Sequence, residues 1–206
     1  MDRDGLSRLP RCMRGFCGKT FREISVSKSG KKKTKYCAKG SHASTITAVE
    51  FDKVQSELYA SMLSRTLHLP ASVDALYYSG NMTYGIEFKT GSHNNTELVR
   101  KIYDSAICLV EHCKNKLTQL RESFEIIVVA SQLEIMREEQ QRNTKARHGK
   151  ANAVIGRSRK FQAFPRIGEG ATPLWGLNKI EGVIVHRVYT ISPLDFEEFC
   201  MRHDWT

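Results

Sequence analysis

Seven consecutive residues near the middle of the chain, Phe-Glu-Ile-Ile-Val-Val-Ala at 124–130, restrict the fold more than any other stretch. A short, nearly continuous run of apolar and β-branched side chains is the pattern of a strand buried on both faces, as in the interior of a parallel or mixed sheet. The flanking sequence reads accordingly. From Ala48 onward, Phe51, Val54, Leu58, Met62, Leu63 and Leu67 recur at three- and four-residue steps ahead of Pro70, which predicts an amphipathic helix ending near His68. Residues 73–91 then read as a strand hairpin. A long helix is expected over about 97–122, capped by Thr96, with Leu98, Ile102, Ala106, Leu109, Cys113, Leu117 and Leu120 as its apolar stripe. Residues 132–142 read as a polar helix and 182–192 as a further strand. Ser192-Pro193 then starts a final helix from Leu194 to His203, with proline at the first helical position. No internal repeat occurs, and the element order gives an α/β class with a small mixed β-sheet.

A chain of 206 residues, 40% of them hydrophobic, fits one domain with a proper core. The first residues are polar and basic without an apolar signal region, and no run is long and apolar enough to cross a bilayer, so a cytoplasmic protein without membrane contact is expected. The six cysteines are scattered rather than arranged as a disulfide framework, and reduced thiols are the favoured reading. Cys12, Cys17, Cys37 and His42 have ligand types suited to a structural Zn2+, but four-residue spacings within each pair are looser than zinc knuckles use.

The net charge of +10 is concentrated. Residues 1–42 hold twelve Lys or Arg against three acids, and residues 142–166 hold eight basic residues and no acid, so the remainder is net acidic. Two such blocks suit contact with a polyanion, because clustered cations release condensed counterions from a phosphate backbone. The first block, rich in Gly, Ser and Lys, is expected to be poorly ordered or loosely docked. The second lies in a loop spanning 142–170. Aromatic content is an ordinary 9%, without a base-stacking motif.

The hairpin carries the chemistry. A turn centred on Gly80 and Asn81 places Asp74 opposite Glu87, and it pairs Val73 with Phe88, Ala75 with Ile86 and Tyr77 with Tyr84 on the face away from the charges. Lys89, two residues beyond Glu87, shares the charged face. Opposed carboxylates repel and need a cation. Carboxylates, water and phosphate oxygens are the ligands Mg2+ prefers, and a metal so held polarises a phosphodiester and lowers the pKa of a bound water. The competing interpretation is an Asp and a Glu-x-Lys on a solvated strand edge.

Asp74 at the start of one strand, followed by Glu87-Phe88-Lys89 inside the next, resembles the active-site motif of the PD-(D/E)xK nuclease superfamily. The likeness covers roughly residues 48–131, where helix, hairpin, helix and strand follow in that superfamily's order; Val73 stands where the motif's name has proline. The resemblance implies a restriction-endonuclease-like domain over 43–206, with a small mixed sheet flanked by helices and a basic N-terminal extension. It implies Asp74 and Glu87 as ligands of Mg2+ or Mn2+, Lys89 as the catalytic lysine and the Phe88 carbonyl as a further ligand. Glu57 on the first helix is the candidate fourth group, for metal and catalysis, with Glu50 in reserve. Lys101, near the start of the long helix, would reach the active site or a substrate phosphate, and its neighbour Arg100 together with Arg147, Lys150, Arg157, Arg159 and Lys160 would hold nucleic acid. The expected function is thus a metal-dependent nuclease, DNA being favoured over RNA, and an enzyme cutting both strands would act as a homodimer. The alternative is an inactive nucleic-acid-binding or protein-interaction module of the same fold.

Overall fold

The computed structural model describes residues 11–25, 41–60, 70–89, 95–113, 116–130 and 173–206. Phe124–Ala130 is a strand with every residue buried, as its composition requires. In chain order the strands are β1 (Cys17–Thr20), β2 (Thr47–Glu50), β3 (Ala75–Ser79), β4 (Met82–Lys89), β5 (Phe124–Ala130) and β6 (Arg187–Ile191). They form one mixed sheet in the order β1-β2-β3-β4-β5-β6. The first four pair antiparallel, and β4, β5 and β6 are parallel. The helices are α1 (Phe21–Ile24), α2 (Phe51–Ala60), α3 (Asn95–Cys113), α4 (Leu117–Ser123) and α5 (Pro193–Arg202), with short 3-10 segments at Arg11–Phe16 and Leu174–Lys179.

Alternation along β5 divides the core in two. Phe124, Ile126, Val128 and Ala130 face the cluster built by Val54 of α2, Leu98, Ile102 and Leu109 of α3, and Leu120 of α4. Ile127 and Val129 face Phe196, Phe199 and Trp205 at the C-terminal end, together with Phe21. Helices on both faces are why β5 needs apolar residues at successive positions. Gly85 in β4 serves the first face, since a Cβ there would come within 2.8 Å of Ile126 Cδ1.

The hairpin register is the expected one: Ala75 pairs with Ile86 and Tyr77 with Tyr84, and Gly80 takes the turn with a φ of 57°. Other elements depart from expectation. Residues 47–50 are a strand, so the helix expected from Ala48 begins at Phe51; positions 61–69 lie outside the described residues. The long helix starts at Asn95, placing Thr96 inside it, and α4 begins afresh at Leu117. The new helix does not continue the apolar stripe in phase, which leaves Leu117 exposed while Leu120 is buried. Of the strand expected over 182–192 only Arg187–Ile191 forms, because Val183 and Ile184 fold back to donate to the Ile180 carbonyl. The helix expected over 132–142 lies outside the described residues.

Residues 11–25, expected within a loosely docked arm, are integrated instead. β1 extends the sheet, and Phe21 is fully buried against Tyr77, Phe88, Phe196 and Trp205. Thr20 and Glu23 close a capping box at the start of α1. The Glu197 carboxylate accepts the N–H groups of His42 and Ala43 at 2.7 and 2.6 Å, fixing the entry to β2 on α5. Truncating Phe21→Ala should therefore cost about 3–5 kcal/mol of unfolding free energy in urea titrations; a loss below about 1 kcal/mol would mean the segment is not part of the core.

Candidate active site

Asp74 sits in a bend just before β3, and four successive residues there are tied to neighbouring elements. The Ala71 N–H donates to Asp104 Oδ2 and the Val73 N–H to Ser105 Oγ, both on α3, while the Ser72 hydroxyl donates to Asp52 on α2. Asp74 itself accepts the Phe88 N–H through Oδ2 at 2.7 Å, and its carbonyl accepts the N–H of Phe51. Strand pairing starts only at Ala75, so Asp74 reaches across to the main chain of β4 rather than standing opposite Glu87. Val73 accordingly packs in the α3-side cluster, not beside Phe88 on the other face.

Glu87 is 1% exposed, so its carboxylate does not lie on a solvated edge, and Asp74 is partly buried. Its position follows from alternation: Tyr84, Ile86 and Phe88 fill the α5-side cluster, and Glu87 and Lys89 take the α3 side. Lys89 Nζ lies 2.6 Å and Lys101 Nζ 2.9 Å from Glu87 Oε1, and Lys101 also stands 3.6 Å from Asp74 Oδ1. Glu87 Oε2 is buried with no hydrogen-bond partner among the described residues. Burial pushes the Asp74 carboxyl up and the Glu87 charge pushes it further, to about 8, against the opposing charge of Lys101. Burial acts to lower the Lys101 pKa, but Glu87 and Asp74 together more than reverse it and hold the ammonium above its ordinary value.

The helix acid expected from the resemblance is not where it was sought. Glu57 is exposed on α2. Glu50, at the end of β2, pairs with Lys19 at 2.8 Å and Lys53 at 3.1 Å. The α2 carboxylate whose charge acts on both Asp74 and Lys101 is Asp52, bonded to Ser72. Its signal in the sequence is an acid in the first turn of a helix, visible once the helix is started at Phe51 rather than Ala48. Lys101 stands in the second turn of α3 with its ammonium on the carboxylates rather than at the helix end facing a phosphate. Arg100 points outward to Asp104 at 3.4 Å. Arg147, Lys150, Arg157, Arg159 and Lys160 lie outside the described residues, but the anchors of their segment are defined. Ala130, before it, pairs with Lys89; Leu174, after it, donates its N–H to the Thr190 hydroxyl, and Thr190 pairs with Val128, which pairs with Glu87.

Among the described residues no group of three or more His, Cys, Asp or Glu side chains gathers to hold a metal. What Asp74 and Glu87 offer is two carboxylates, one with a buried unpartnered oxygen, which fits a hard cation that keeps several waters. The Phe88 N–H is engaged by Asp74. For zinc, Cys37 and the Cys12 side chain lie outside the described residues; the Cys17 thiol donates to the Met13 carbonyl, and burial holds its pKa up, against the thiolate zinc requires. Cys17, Cys108 and Cys200 form no disulfide among the described residues. No helix among the described residues is long and apolar enough to cross a membrane. Comparison of the chain with protein-family models, curated proteins and solved structures returned no match.

A carboxyl raised on folding binds its proton more tightly in the folded chain than in the unfolded one. Its stabilising contribution is complete below the ordinary value of 3.8 and is lost as pH rises through about 8. In the presence of chelator, Asp74→Asn should thus raise the Tm relative to the parent at about pH 9 and change it little at about pH 5. An equal gain at both pH values would contradict the assignment of the shift to Asp74.

Proposed function

We propose that the chain is a metal-dependent nuclease that hydrolyses nucleic-acid phosphodiester bonds with Asp74, Glu87 and Lys89. The observation that carries this reading is a fully buried glutamate at the carboxyl end of β4, flanked by a second carboxylate and two lysines. Apolar packing often serves stability as well as a buried charge pair, so the gathering of four charged groups here supports a functional role. Carboxyl ends of parallel strands are also where open α/β sheets bind ligands. The sheet supports the resemblance further: α2, the hairpin β3–β4, α3 and the parallel strand β5 follow in the restriction-endonuclease-like order.

Asp74 and Glu87 would hold Mg2+ or Mn2+, and the ion would supply a Lewis acid for the phosphodiester and a water of lowered pKa. Lys89, on the same strand face as Glu87, would orient that water or stabilise developing negative charge. The two fixed carboxylates orient the reacting groups without reorganisation, since Asp74 is held by Phe88 and its loop by Ser105 and Asp104.

The basic segment between β5 and the Leu174–Lys179 turn supports a polyanionic substrate. Both of its anchors stand at the rows of Glu87 and Lys89, and the sequence between them, 131–173, holds nine Lys or Arg against four Glu, with the acid-free block 142–166 inside it. Binding through them would be largely indifferent to sequence, with DNA favoured over RNA and a homodimer implied for double-strand cutting. The binding-module reading draws on one feature: an ammonium, that of Lys101, already lies between the carboxylates.

Purified protein should cut plasmid or oligonucleotide DNA with added Mg2+ or Mn2+. Glu87→Gln or Lys89→Met should lower the rate by about 10²-fold or more, with circular dichroism unchanged. Metal-independent binding without cleavage, insensitive to both substitutions, would favour the module. Replacing Arg147, Lys150, Arg157, Arg159 and Lys160 together by Ala should weaken DNA binding and flatten its salt dependence by about 0.9 in log–log slope per phosphate contact removed. An unchanged slope would remove this segment from the interface.

A further inference from the structure

Lys101 and Lys89 both converge on Oε1 of Glu87, at 2.9 and 2.6 Å, while the equally buried Oε2 has no hydrogen-bond partner among the described residues. Lys101 comes from the helical layer and bridges to Asp74 Oδ1 at 3.6 Å, so its ammonium lies in the gap between the two carboxylates. A divalent cation bonded to oxygens of both residues at about 2.0–2.2 Å needs that same gap, and two cations cannot share it. We propose that Lys101 is a displaceable counter-ion: in the metal-free protein it holds the cation's position, and it leaves when a divalent ion binds.

The proposal rests on the cation site of the nuclease reading and adds a coupling to it. Lys101 has a flexible four-carbon stem on the second turn of α3, so its head can move while the helix stays packed through Leu98, Ile102 and Leu109. Once expelled, the ammonium is a free cation beside the site, and a phosphate of the substrate is the anion that arrives there. A polyanion that draws Lys101 away also empties the cation position. Metal and polyanion therefore bind cooperatively, each raising the affinity of the other by the same factor.

Calorimetric titration of the full chain with Mn2+ tests this. Lys101→Met, of similar length and without charge, should bind Mn2+ about tenfold more tightly than the parent in the absence of nucleic acid. A nuclease-resistant phosphorothioate duplex should tighten Mn2+ binding to the parent and leave the variant's affinity unchanged. Equal or weaker Mn2+ binding by the variant overturns the proposal. Because the substitution leaves Glu87 short of one cation, thermal melts with and without Mn2+ accompany the titration. A variant stabilised by Mn2+ more than the parent supports replacement of the lysine by the ion; one stabilised no more than the parent, or unfolded at every Mn2+ concentration, overturns it. Cleavage is measured separately. Tighter Mn2+ binding without cleavage by the parent would retain the displaceable lysine and reject the nuclease, whereas cleavage by the parent with unaltered variant affinity would do the reverse.

Discussion

An ionisable side chain with 1% exposure, in a strand paired on both sides, is the constraint on which this structure turns. A carboxylate there loses its hydration, and in a low-dielectric interior that loss is several kcal/mol unless cations and hydrogen bonds replace it. Lys89 reaches Glu87 from two positions along its own strand and Lys101 from the helix above, so the charge is met from two layers. Lys101 is carried there by α3, which packs over the sheet through Leu98, Ile102 and Leu109 and holds the loop at 71–74 through Asp104 and Ser105. Asp74 is thereby delivered to the same point from β3.

A second buried glutamate shows that burial alone does not make such a site. Glu125, one strand away on the α5 face, is met at 3.9 Å by the imidazole of His186, and burial pushes its pKa up. No lysine pairs with it among the described residues, and no second carboxylate converges on it. The contrast isolates what is particular to the Glu87 end: two acids and two ammonium groups gathered where β4 and β5 end, beside both anchors of the segment that contains the second basic block.

The sequence disclosed those parts of the fold whose pattern is local. The run at 124–130 is β5 residue for residue, and the hairpin register followed from its two-residue turn and the alternation around it. Strands β1 and β2 are four residues each, too short for a periodic signal, and what fixes them lies far off in sequence: Phe21, just after β1, packs on Phe196, and Glu197 holds the entry to β2. Without β2 the start of α2 is displaced, and with it the place of Asp52 in that helix's first turn, beside Ser72. At the site, Asp74, Glu87 and Lys89 were legible because two adjacent strands carry them. That Lys101 would stand between the acids was not, because its reach depends on how α3 packs over the sheet, and helical periodicity says nothing of that.

The central claim is that Asp74 and Glu87 form a divalent-cation site where Lys101 now stands. Crystals soaked in Mn2+ and measured at the manganese edge test it most directly. The account predicts one strong anomalous peak within bonding distance of an oxygen of each carboxylate, with the Lys101 ammonium withdrawn from Glu87 Oε1. No peak there, with Lys101 still bridging Glu87 and Asp74 at saturating Mn2+, would contradict it.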